Sequence, residues 1–289
     1  MPTRDERRAE AAKHIALMKG AFGAEIEACV ASAEICEDGD ALSLELPEPS
    51  AEATDTRVTT DFAPAAAYAG TGRVAVVDPA SFTRPGGSYE DGAFGPEQIL
   101  CSESALYPVL CGMRKAYYEG NRGYSSGQLF TSRALYLTDV PFVRNGNIRK
   151  IDMIAVAEPN RARALENHRS ERECDECLAE RIRTALNLAA AHGVDTLVVG
   201  AYGCGPQGAP AQLSIDAFKA WIGEHPGAIA HIVFAAPRAY FAAFDAAFGV
   251  PKAEAAPAPA TETPARDDAG DDDDFDVHAV ELPEGITLR

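Results

Sequence analysis

The chain has 289 residues, 46% of them hydrophobic, which is enough for one large domain or two small ones. No stretch approaches the ~20 apolar residues of a membrane span, and the charged Met1–Glu10 segment is not followed by an apolar run, so neither a membrane protein nor a secretory signal is expected. The net charge of −18 disfavours non-specific nucleic-acid binding, while a small anion could still bind through backbone amides.

The periodicity predicts an amphipathic helix over Arg4–Phe22, with Ala12, Ile15, Ala16, Met18 and Phe22 near one stripe. Ile26–Val30 and Leu42–Leu46 read as short strands, and the polar, proline-bearing Pro47–Thr60 reads as a loop. Val74–Val77 is a buried strand. Ile99–Tyr118 carries helical spacing at Ile99, Leu106, Leu110, Met113 and Tyr117. Ile151–Val156 is the next strand. Glu171–His192 follows as a helix, with Leu178, Ile182, Leu186 and Ala189 on one face and Gly193 as its C-cap. Thr196–Gly200 and Ile229–Ala235 are strands on either side of a helix over Gln212–Ile222, and Tyr240, Phe241, Phe244 and Phe248 mark a closing helix. Buried β-branched runs alternating with amphipathic helices argue for an α/β sandwich with a parallel or mixed sheet.

Beyond Phe248 the composition changes. Lys252–Arg289 holds eleven acids against three bases, which is −8 of the total charge and leaves −10 on the body. Such a segment has too little apolar surface to order itself, so residues 251–289 are expected to be an acidic, disordered tail. Within it, Phe275–Leu282 partly alternates and could add as a strand to a protein partner.

Two loops carry the chemistry. In the first, Gly86-Gly87-Ser88 follows the Val74–Val77 strand, with Gly92 and Gly95 further on and Pro96-Glu97-Gln98 opening a helix. Glycines let backbone N–H groups approach a ligand, and a helix start favours an anion, so a phosphate-bearing ligand suits this loop. In the second, Gly203-Cys204-Gly205-Pro206-Gln207-Gly208 follows a strand and precedes a helix. It satisfies G-x-G-x-x-G, and a dinucleotide-binding protein is a competing reading. Against it, the motif lies late in the chain and no acid closes the next strand, which runs into Ala236-Pro237. Cys204 at a helix start could be a nucleophile, but no base partner is identifiable, so it reads as a packing residue. Cys174-Asp175-Glu176-Cys177 lacks a second pair, the six histidines lack ligand spacing, and no metal is expected. Seven cysteines without a framework read as reduced thiols in a cytoplasm.

The order and spacing of Pro85–Leu100, Ser104-Ala105-Leu106-Tyr107-Pro108, Ala157-Glu158-Pro159-Asn160 and Val199–Gly205 resemble those of the microbial-type poly(ADP-ribose) glycohydrolases, a macrodomain-like family. The resemblance runs from about Arg73 to Phe248. It implies a three-layer α/β/α macrodomain-like sandwich with a mixed sheet over residues 1–250, residues 1–60 being an N-terminal helical extension. It implies ADP-ribose, poly(ADP-ribose) or an ADP-ribosylated protein as ligand and no cofactor. The glycine loops, Gly86, Gly87 and Ser88 with Gly203, Cys204, Gly205, Gln207 and Gly208, would hold the diphosphate. Asp78, where the family usually has Asn, would contact ribose.

The family signature is Gly-Gly-Gly, six to eight residues, then Gln-Glu-Glu, and its second Glu is the acid/base. Read without gaps, Pro96 replaces the Gln, Glu97 keeps the first Glu and Gln98 replaces the catalytic one. A Gln amide cannot exchange a proton at neutral pH. With a shorter spacing Glu97 takes the catalytic place instead. Both an ADP-ribosyl glycohydrolase and a non-hydrolysing ADP-ribose reader therefore remain open, with an NAD-binding enzyme a third reading.

Overall fold

The computed structural model describes residues 2–250. The expected acidic tail, residues 251–289, lies outside the described residues, as does the Phe275–Leu282 segment. In chain order the elements are α1 (Arg4–Ala21), α2 (Gly23–Ala31), β1 (Glu34–Cys36), β2 (Asp55–Thr59), α3 (Ala63–Tyr68) and β3 (Val74–Pro79). There follow α4 (Pro96–Ser102), α5 (Leu106–Gly112), β4 (Ala134–Arg144), β5 (Asn147–Val156), α6 (Arg161–Glu166) and α7 (Glu171–Ala191). The last are β6 (Thr196–Gly200), α8 (Ala211–Glu224), β7 (His231–Ala235) and α9 (Arg238–Phe248).

The strands form one mixed sheet in the order β1-β4-β5-β3-β6-β7-β2. β5, β3, β6, β7 and β2 are mutually parallel, while β4 runs antiparallel to both of its neighbours. Alternation along the strands divides the interior into two cores. Ala75, Val77, Leu197, Val199, Ile232 and Phe234 face α7, α8 and α9, meeting Ile182, Leu186, Phe218, Trp221 and Phe244. Val74, Val76, Val198 and Val233 face the other way, meeting Ala66 of α3, Leu100 of α4 and Leu106 and Leu110 of α5. This is the expected three-layer α/β/α sandwich, and both faces of the sheet are covered, as a largely parallel sheet requires.

Several expected elements differ. Ile26–Val30 is helical, within α2, because Ile26, Cys29 and Val30 lie three and four apart and turn one face toward the core of α5. Leu42–Leu46 forms no strand; a 3-10 turn occupies Asp40–Ser43, and Leu42 and Leu44 are exposed. The Pro47–Thr60 loop contains β2, a polar edge strand whose register with β7, not its own sequence, makes it a strand. The single helix expected over Ile99–Tyr118 is broken. Pro108 has no N–H to bond Ser104, so the chain restarts at Leu106, leaving Pro108 in the new first turn. The Ser104 hydroxyl bridges the break, donating to Leu100 O (2.6 Å) and accepting from Leu106 N (3.1 Å), while Ala105 N bonds Pro141 O of β4 (2.8 Å).

α7 forms as expected. Ser170 and Glu173 close a reciprocal capping box at its start. Buried Asn187 ties the helix to two other segments, donating to Ala41 O (2.8 Å) and accepting from Trp221 Nε1 (2.7 Å). All seven cysteines are free thiols, and Cys174 and Cys177 are buried side chains in a small apolar cluster. None of the described helices is long and apolar enough to cross a membrane. Asn187→Leu would leave the buried Trp221 N–H and Ala41 carbonyl without partners. It is expected to cost about 2 kcal/mol or more, read from the midpoint of denaturant unfolding.

Candidate functional site

β5 and β6 flank β3 on opposite sides, so the connections after these three strands converge at one edge of the sheet. Crevices outside the carboxyl ends of parallel strands at such a switch point are where α/β sheets bind ligands. Three carboxyl groups meet there. Asp78 sits at the end of β3, fully buried, and neither of its oxygens has a hydrogen-bond partner. Glu97, in the first turn of α4, is 4% exposed. Its Oε2 accepts from Ser81 N (3.1 Å) and its Oε1 has no partner. Glu158, just beyond β5, accepts from Gly203 N (2.7 Å) at the start of the second loop.

The electrostatics follow from this crowding. Burial, then the nearby Glu158 charge, pushes Asp78 up to about 8. Burial, then Asp78, raises Glu97 well above the usual carboxylate range, against the Ser81 and Gly86 amides that favour its ionised form. Loss of hydration raises Glu158 to about 7, opposed by hydrogen bonds from Gly203 and Gln207. Isolated carboxylates are costly to bury, so such groups keep their protons.

The first glycine loop is a left-handed turn, with Gly86, Gly87 and Ser88 at φ 65°, 52° and 71°. Side chains are excluded as well as the conformation. A Cβ on Gly87 would lie 2.3 Å from Glu97 Oε2, and one on Gly86 would lie 2.5 Å from the Tyr107 ring. The loop therefore closes directly onto the Glu97 carboxyl. Gln98 does something different from its neighbour. Its amide donates to the carbonyls of Gly86 and Gly87 (3.1 Å each), bracing the turn. It also lines a cavity of about 220 Å³ with Arg7, Glu10, Tyr89 and Phe94.

In the second loop, Gly203 is packed against α7, where a Cβ would lie 2.5 Å from Leu178 Cδ1. Gly205 is exposed, where a Cβ would meet the Tyr240 hydroxyl at 3.9 Å, and Gly208 lies close to Ala162. Cys204 is buried, its thiol pushed up by burial, and it contacts Ser214 rather than a base. Gln207 bonds Glu158 and leaves its own Oε1 without a partner. Some loop amides are committed internally: Gly87 N to Arg84 O (3.1 Å), Gly203 N to Glu158 and Gly86 N to Glu97. An anion placed here draws on the remaining loop amides or displaces those acceptors.

The fold thus brings together Asp78, Glu97, Gly86, Gly87, Gly203 and Gln207, directs Gln98 to the outside of the first loop and buries Cys204 in packing. Glu158 is the residue that sequence reasoning left out of the site. Its signal was a carboxylate directly after a buried strand, in the Ala157–Asn160 piece. Among the described residues no group of three or more His, Cys, Asp or Glu side chains is placed to hold a metal ion.

Two expectations follow. The folded carboxyls keep protons that the unfolded chain releases above pH ~4, so stability falls as pH rises from there to about 8. Thermal unfolding should show this slope, and Asp78→Asn should flatten it. Ser88 is an L-residue in the left-handed region, so Ser88→Gly should raise stability by about 1 kcal/mol in the same assay.

Comparisons with known proteins bear on the fold and the sequence pattern. Residues 12–145 match the family model described as microbial-type PARG, catalytic domain. No curated protein matches the chain. Among solved structures, poly(ADP-ribose) glycohydrolase from Thermomonospora curvata bound to the inhibitor ADP-HPD superposes with a TM-score of 0.72 at 26% identity, covering 84% of this chain and 97% of that one. The Deinococcus radiodurans enzyme in complex with ADP-ribose superposes with a TM-score of 0.66 at 26% identity, covering 77% and 95%. The chain thus carries, in residues 12–145, the sequence pattern of the microbial-type PARG catalytic domain, on the macrodomain-like α/β fold of the bacterial poly(ADP-ribose) glycohydrolases.

Proposed function

We propose that residues 1–250 form an ADP-ribose-binding glycohydrolase domain that cleaves the ribose O-glycosidic bond in poly(ADP-ribose) or in ADP-ribosylated protein, with Glu97 as the acid. One observation carries this reading. Glu97 is held from one side by the Ser81 amide and from another by the Gly86–Gly87 turn, and its remaining oxygen has no protein partner. A carboxyl kept protonated and aimed from rigid backbone is what glycoside hydrolysis needs at the leaving oxygen.

In this reading the diphosphate lies between the two glycine loops, at Gly86, Gly87 and Ser88 and at Gly203, Gly205 and Gly208, while Asp78 and Gln207 face ribose. Glu97 gives its proton to the leaving oxygen as the C1–O bond breaks through an oxocarbenium-like state. Its carboxylate then takes a proton from the water that adds to C1. The bound ligands of the T. curvata and D. radiodurans structures, ADP-HPD and ADP-ribose, support the ligand class. A cytoplasmic location fits the seven free thiols.

A second reading is a non-hydrolysing ADP-ribose reader. It is favoured by Gln98, which stands at the acid/base place of the ungapped signature and is used here as a brace. The test is calorimetric titration with ADP-ribose together with ADP-ribose release from poly(ADP-ribose) and from mono-ADP-ribosylated protein. Release that falls by about 10²–10⁴ in Glu97→Gln, with binding retained, supports the enzyme. Binding without release in the wild type, with activity gained in Gln98→Glu, establishes the reader. Absence of binding overturns both.

A further inference from the structure

Ser126, Gln128 and Phe130, in the segment that leads into β4, lie at φ 45°, 76° and 62°. None is glycine, and left-handed backbone is unfavourable for a residue with a Cβ. Such conformations persist only where the surroundings over-determine them, and they gather at functional sites. This segment reaches the carboxyl edge of the sheet, because β4 runs antiparallel to β5 and its first residue, Ala134, pairs with Val156 at the end of β5. There it is held from two sides. The Gln128 carbonyl accepts from Asn160 N (2.9 Å), in the connection after β5. The Leu129 carbonyl accepts from Nη2 of buried Arg181 (3.2 Å) and from Cys177 Sγ (3.5 Å), both on α7.

What the strained backbone delivers is the Phe130 ring. It stacks on Phe82, with centroids 4.8 Å apart and planes inclined by 26°. Phe82 is 5% exposed and lies in the irregular connection between β3 and the first glycine loop. Its carbonyl is held as well, accepting from Asn121 Nδ2 (2.6 Å). Asn121 is fully buried, and its own oxygen accepts from Arg133, which pairs with Glu37 (2.6 Å). Phe82 directly follows Ser81, whose amide donates to Glu97 Oε2 (3.1 Å).

We propose that Phe130 and Asn121 are positioning residues for Glu97: together they fix Phe82, and through it the Ser81 amide that aims the Glu97 carboxyl. The consequence for catalysis rests on the glycohydrolase reading; the hold on Ser81 does not.

Glu97 has no partner at Oε1, so the direction of that oxygen depends on how Oε2 is held. Ser81 lies outside the helices and strands, so no regular ladder of hydrogen bonds fixes it. The two contacts on Phe82 take that place. The stacked ring fixes its side chain and the Asn121 bond fixes the peptide that follows, which leaves little freedom to the backbone at Ser81. A displacement of about 1 Å at a reacting group costs up to roughly 10²-fold in rate. Ordinary packing, by contrast, would cost stability and leave the geometry at Glu97 alone.

The test uses the full chain and three variants. Phe130→Leu keeps apolar bulk and removes the ring. Asn121→Asp keeps the shape and the Arg133 contact but has no N–H for the Phe82 carbonyl. Phe130→Tyr keeps the ring. Calorimetric titration with ADP-ribose counts the competent molecules, so each rate is expressed per binding site. In Phe130→Leu and in Asn121→Asp, kcat for ADP-ribose release is expected to fall about tenfold or more, while KM and the ADP-ribose Kd stay within about threefold. Phe130→Tyr should keep the wild-type kcat. In the free protein, amide exchange at Ser81 followed by NMR should speed up in the first two variants and not in the third. An unchanged kcat per site, a loss confined to KM, or an equal loss in Phe130→Tyr overturns the proposal. If either of the first two variants does not fold, the other decides. If the wild type releases no ADP-ribose, the glycohydrolase reading fails and exchange at Ser81 decides: faster exchange upholds the positioning, and unchanged exchange overturns it.

Discussion

The rest of the structure is arranged around the cost of placing Asp78 and Glu97 out of water at the carboxyl edge of the sheet. Stripping water from an ionised carboxylate costs several kcal/mol, more than most single packing contacts return. The loops do not cancel that cost with cations. They supply only two backbone amides to Glu97 and none to Asp78, and the groups answer by keeping protons. A fold that tolerates this needs rigid walls, and the two apolar cores on either face of β3 provide them.

Rigidity reaches the site through backbone more than through side chains. The left-handed turn of Gly86, Gly87 and Ser88 fits because two of its residues have no Cβ, and it is held by the Gln98 amide on one side and closed against Glu97 on the other. Gln98 and Glu97 are adjacent in sequence and opposite in duty, one bracing the loop and one presented to its interior. Glu158 links the second loop to the first by accepting from Gly203 and pushing Asp78 up. A disturbance in either loop is thereby felt at the same pair of carboxyls.

Several elements are set by contacts distant in sequence. β2 is polar and short, and only its parallel register with β7 makes it a strand. β4 is not among the elements expected from periodicity, although Asn145-Gly146, both at positive φ, marks the hairpin that joins it to β5. Helical spacing over Ile99–Tyr118 was real, yet Pro108 and the pairing of Ala105 with β4 cut the helix into pieces.

The sequence by itself determined an α/β sandwich with a parallel or mixed sheet, the long helix α7, the buried strands β3 and β6, and the two glycine loops with Glu97 beside the first. These are local matters: period, capping residues and backbone freedom are written in neighbouring positions. Tertiary structure alone decided which of Glu97 and Gln98 faces the interior, that Glu158 joins the group, and that Asp78 has no partner. Orientation at a helix start changes by about 100° from one residue to the next, and burial depends on what the rest of the chain places around it. Neither is recorded in the spacing of a motif.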